Sequence, residues 1–95
     1  MTTITLKDIN ESAYLLLSGF DYMGAEERAG NDGRVLTHFT LRADKPADAV
    51  EELRNAYLNG SARVDPKMYA IKQDDLRKII IERRRLAQPR RPLGG

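Results

Sequence analysis

Ninety-five residues with 16 Lys/Arg against 14 Asp/Glu, a formal net charge of +2, one histidine and no cysteine set the bounds. A chain this short holds one domain and buries roughly 60 to 65% of its unfolded surface, so all its elements share one modest core. Without cysteine there is no disulfide framework, thiolate nucleophile or thiolate metal site, and no apolar run approaches the roughly 18 residues of a membrane span. These features read as a cytoplasmic protein with neither membrane segment nor cofactor.

In chain order, residues 1–4 read as a loose or briefly extended end. Thr5 then caps a first helix, with Asp8 at its third position as a variant capping box. Ile9, Ala13, Leu16 and Leu17 share a face of that helix, and Gly19 ends it as a left-handed stop with Phe20 folded back over the last turn. Tyr14 and Leu15 fall off the face. Their position predicts either a helix buried more than halfway round or a contact with a partner chain.

Residues 20–28 and 34–42 flank Ala29-Gly30-Asn31-Asp32-Gly33, a run that tolerates positive φ, so the chain is predicted to form an antiparallel hairpin. In the second strand Val35, Thr37, Phe39 and Leu41 alternate with Leu36, His38, Thr40 and Arg42, which turns Phe39 inward. The first strand alternates less cleanly, with Phe20 and Tyr22 on one face and Met23 and Ala25 on the other. A turn at residues 43–46 leads to a second helix through Ala47, Val50, Leu53, Ala56 and Tyr57, ended by Asn59-Gly60. Asp65-Pro66 opens a third helix, because the aspartate accepts from free first-turn amides and proline has the φ of a first helical residue. Tyr69, Leu76, Ile79 and Ile80 make its apolar face, with Met68 and Ile71 at the margin.

The predicted fold is α+β, in the order helix, strand, strand, helix, helix, over residues 1–86, with residues 87–95 as a flexible basic tail. Two strands alone are marginal, so helices or a second chain must support them. At this point a resemblance emerges. Ala13-Tyr-Leu-Leu-Leu-Ser-Gly-Phe20, Phe39-Thr-Leu41, Tyr57-Leu-Asn-Gly60 and Val64-Asp-Pro-Lys-Met-Tyr69 resemble a family of small uncharacterised bacterial and phage-encoded proteins, over about residues 5 to 80. The resemblance implies a bacterial or phage-related context and an α+β domain. It brings no catalytic or binding residues.

The chemistry-bearing residues form no enzyme constellation. His38 has no cysteine or second histidine to share a metal, and Ser12, Ser18 and Ser61 lie in no strained strand-to-helix turn of the kind that exposes a nucleophile. Gly30-Asn-Asp-Gly33 lacks the Gly-Lys-Ser/Thr ending of a phosphate loop and the spaced acids of a calcium loop. The acid pairs Glu26-Glu27, Glu51-Glu52 and Asp74-Asp75 are neighbours in sequence and do not face each other on a helix. The terminal Leu93-Gly94-Gly95 resembles the tails of ubiquitin-like modifiers, but those domains start with a hairpin and this chain with a helix.

Two binding readings remain. Off-face apolar residues, namely Tyr14, Leu15, Leu58 and Ile81, point to a non-enzymatic interaction module that binds a protein partner or forms a homodimer. The alternative is nucleic acid. Residues 1–60 carry six Lys/Arg against ten Asp/Glu, whereas residues 61–95 carry ten against four. Arg77, Arg83, Arg84, Arg85, Arg90 and Arg91 concentrate that excess. Arginine forks suit phosphate oxygens and would give salt-sensitive, sequence-independent binding, since no aromatic residue interleaves them to stack on bases. Cations at a helix C-terminus also complement its dipole without any ligand.

Overall fold

A strand comes first. The computed structural model, which describes residues 1–87, places β1 (Thr2–Leu6) ahead of α1 (Ile9–Leu17), β2 (Asp21–Ala29), β3 (Val35–Ala43), α2 (Ala47–Leu58) and α3 (Pro66–Ala87). The class is α+β as predicted, and the sheet has three antiparallel strands in the order β1-β3-β2. The expected hairpin is its β2–β3 half. The third strand comes from the end read as loose or briefly extended: Thr2, Ile4 and Leu6 lie opposite Ala43, Leu41 and Phe39. Thr5 therefore sits in β1, opposite Thr40, and cannot cap a helix. Asp8 is the cap, its carboxylate accepting from the Asn10 amide at 2.8 Å.

The ends of the helices follow their punctuation. Gly19 has φ 97°, and the Phe20 amide donates to the Leu15 carbonyl at 3.1 Å, the six-to-one bond of a Schellman stop. Phe20 is buried beside it. The Lys67 amide donates to Asp65 Oδ1 at 3.0 Å at the start of α3.

The β2–β3 pairing explains the irregular alternation of β2. The register shifts between Tyr22 and Gly24, which leaves Met23 as the extra residue of a bulge. Gly24 supports it with φ 145°, a conformation side-chain-bearing residues avoid. Beyond the bulge the phase is reset, so Ala25 and Glu27 lie opposite Phe39 and Thr37 on the same face as Tyr22. The sequence expectation had put Tyr22 and Ala25 on opposite faces.

Thr37, Phe39, Leu41 and Ala43 of the central strand turn inward and are buried, together with Leu6, Ala13, Tyr14, Leu15, Phe20, Val50 and Leu76. The helices cover this face of the sheet. The other face carries Thr3, Thr5, His38, Thr40 and Arg42 and lies open. Helix α1 is the centre of the core: residues 11–15 are all buried, because the sheet, α2 and α3 approach it from different sides. Tyr14 at 5% and Leu15 at 0% exposure are thus core residues and present no surface to a partner.

Candidate functional site

Helices α2 and α3 are tied to α1 by polar as well as apolar contacts. Arg54 of α2 donates from Nε and Nη2 to the Glu11 carboxylate at 3.0 and 3.3 Å, and Glu11 is buried. That hydrogen bond to Glu11 raises the Arg54 pKa further above its ordinary value. The rings of Tyr14 and Tyr57 stack with centroids 5.7 Å apart. Tyr57 Oη donates to Asp8 at 3.5 Å, and Tyr69 Oη of α3 to the Asn10 carbonyl at 3.2 Å. Burial first, then the nearby Asp8 charge, pushes both phenols upward. This is a structural seam: its groups satisfy one another.

The far half of α3 is fastened to the hairpin. Arg83 grips Glu27 of β2 with two of its nitrogens, Nε at 2.8 and 3.0 Å and Nη2 at 2.7 Å. The Arg83 hydrogen bonds hold the Glu27 carboxyl below its usual range, and Glu27 in turn raises Arg83. One of the predicted nucleic-acid arginines is therefore committed to a protein contact. Arg77, Arg84 and Arg85 are exposed and enter no ion pair among the described residues. They surround Ile81, which is 60% exposed, at steps of three and four. Arg90 and Arg91, like Leu93-Gly94-Gly95, lie outside the described residues.

Leu58, the most exposed of the four candidate contact residues at 72%, stands beside a free strand edge. An open groove of about 480 Å³ runs between β1 and α2, lined by Thr2, Ile4, Val50, Glu51, Arg54 and Leu58 among others. Helix α2 runs alongside β1 in the same direction. At one end Thr2 Oγ1 donates to the Lys45 carbonyl just before α2, and at the other Tyr57 reaches Asp8 just after β1. The sequence reading missed this site because it allowed residues 1–4 no more than a brief extension and gave them no partner strand. The local sign was the run of four β-branched residues Thr2, Thr3, Ile4 and Thr5.

The two sheet edges differ. β2 carries Asp21, Glu26, Glu27 and Arg28 and a bulge, the usual devices that keep an edge from pairing. β1 is TTITL, with no charge, no proline and a regular register. It pairs only with β3 among the described residues, so its outer edge borders the groove. His38 is no part of this: it lies on the open face of the sheet, its Nδ1 3.2 Å from the Leu36 carbonyl. Among the described residues no group of three or more His, Asp and Glu side chains is placed to hold a metal ion. No known protein family matches the chain, nor does any curated protein or solved structure.

Proposed function

We propose that this chain is a non-enzymatic interaction module that takes up an extended polypeptide strand at its β1 edge. The observation that carries this reading is the contrast between the two edges: one is charged and bulged, the other is uncharged, regular and flanked by an apolar-walled groove. Strand addition draws its affinity from main-chain hydrogen bonds and its selectivity from alternate side chains entering a pocket. Here the groove offers Ile4, Val50 and Leu58 to those side chains and Glu51 and Asn55 to their polar neighbours. The test is an NMR titration, at a concentration where sedimentation finds the chain monomeric, with a synthetic peptide of residues 1–7 as the probe strand. Shifts confined to β1 and α2 support strand addition, whereas shifts elsewhere or none refute it.

A second reading has its own observation, the three α3 arginines that pair with no acid among the described residues. Arg77, Arg84 and Arg85 would bind nucleic-acid phosphates in a salt-dependent manner. Titration with double-stranded DNA and with RNA at two salt concentrations tests it. A variant combining Arg77→Gln, Arg84→Gln and Arg85→Gln should lose the salt-sensitive part of the affinity. Unchanged affinity in that variant refutes the reading.

A further inference from the structure

We infer that the strand received at the β1 edge is β1 of a second copy, so that two chains join into a six-stranded antiparallel sheet around a two-fold axis at Ile4. The inference rests on the strand-addition reading and names its occupant.

The register follows from the faces. Residues directly opposite in an antiparallel pair project to the same side, so the helices of both copies stay on one side only when the paired residue numbers have an even sum. Of those registers, the one that opposes Ile4 to Ile4 engages all five residues of β1: Thr2 with Leu6, Thr3 with Thr5 and Ile4 with itself. Thr2, Ile4 and Leu6 are the inward residues of β1. Their pairs therefore continue the core across the axis. Thr3 and Thr5 lie on the open face, where threonine–threonine pairs contribute to cross-strand stability. The segment is self-complementary at every position.

Charge and shape agree with a second copy. An uncharged strand meets an identical strand without repulsion, which β2 with its three acids does not. Helix α2 bears Asp48, Glu51 and Glu52 in its first half and Arg54 in its second. Because α2 runs along β1, the two-fold sets the copies of α2 antiparallel and so holds their acidic first halves at opposite ends of the interface, while Arg54 stays paired with Glu11. The same operation carries Leu58, at the Leu6 end of the groove, toward the Thr2 and Ala47 end of the partner groove. The exposed leucine thereby gains an apolar neighbour.

The experiment uses the full chain and measures mass by sedimentation over a concentration series. Wild type is expected as a dimer. Two variants alter only exposed residues of the open face: Thr3→Lys with Thr5→Lys, and Thr3→Glu with Thr5→Glu. In the stated register each sets like charges opposite one another, and each should dissociate at least tenfold more readily than wild type. Circular dichroism confirms that both remain folded. Mixing the two should restore the dimer as a mixed pair, since lysine then faces glutamate. A monomeric wild type, or a dimer indifferent to both variants, overturns the inference. In that event the peptide of residues 1–7 separates the cases. Shifts on β1 and α2 leave strand addition standing with a different polypeptide as occupant, and their absence removes both.

Discussion

Replacing Arg54 by methionine keeps a long apolar stem in place and removes the two donors that reach Glu11 at 3.0 and 3.3 Å. The Glu11 side chain is 7% exposed, so its carboxylate would be left in the core without a partner. Stranding a fully buried charge costs about 3–5 kcal/mol, but the Arg54 side chain is 39% exposed and water would reach the vacated position. Exposed pairs contribute only about 0–1 kcal/mol, and an intermediate site gives about 2 kcal/mol. For a domain whose total stability is of the order of 5–14 kcal/mol, that is a large fraction. It corresponds to a fall of about 8–16 °C in melting temperature. The assay is urea denaturation followed by circular dichroism, run on wild type, Arg54→Met, Glu11→Gln and the double variant. Glutamine removes the charge that arginine compensates, so the double variant should be more stable than the sum of the single losses by at least about 1 kcal/mol. Additive losses, or an Arg54→Met variant as stable as wild type, would show that the pair is not what holds α2 against α1. The groove beside β1 has α2 as its wall, so the same variant should also weaken binding at that edge.

Other perturbations probe separate parts of the fold. The Glu27 carboxyl is held low by the Arg83 hydrogen bonds, so the pair contributes fully above the unfolded glutamate value of about 4.3 and fades as pH falls through the lower folded value. An NMR titration should show Glu27 returning to the ordinary range in Arg83→Met, with faster amide exchange in the far half of the hairpin; an ordinary value in wild type would contradict the clamp. Gly24→Ala has space around its new methyl group but forces alanine to φ 145°, which should cost about 1–3 kcal/mol in a thermal or urea melt. Equal stability would mean that the bulge relaxes freely. Ser12 is fully buried and its hydroxyl has no hydrogen-bond partner among the described residues, so Ser12→Ala should leave stability unchanged or raise it by about 1 kcal/mol. A clear loss would reveal a partner for that hydroxyl.

Local chemistry made the punctuation of this fold legible. Gly19, Asp65 and the Gly30 to Gly33 turn act through the φ values and hydrogen bonds of a few adjacent residues, and sequence neighbours suffice to place them. The inward face of β3 was equally plain, since strand periodicity acts over five or six residues. The sequence also identified Leu58 and Ile81 as apolar residues without an obvious core position. It did not determine β1, because a five-residue strand has no stability apart from the strand it pairs with, and that partner lies more than 30 residues away. Between a helix buried more than halfway round and a partner contact, the two readings of Tyr14 and Leu15, the fold decided for the first, because the sheet, α2 and α3 converge on α1 and bury all sides of one helix turn. Arg83 is like Arg84 and Arg85 in sequence and unlike them in the fold, where Glu27, 56 residues earlier, takes its charge. Periodicity and capping energies are local and survive in the sequence. Edge, face and ion-pair partner are properties of distant segments brought together, and only the tertiary structure decides them.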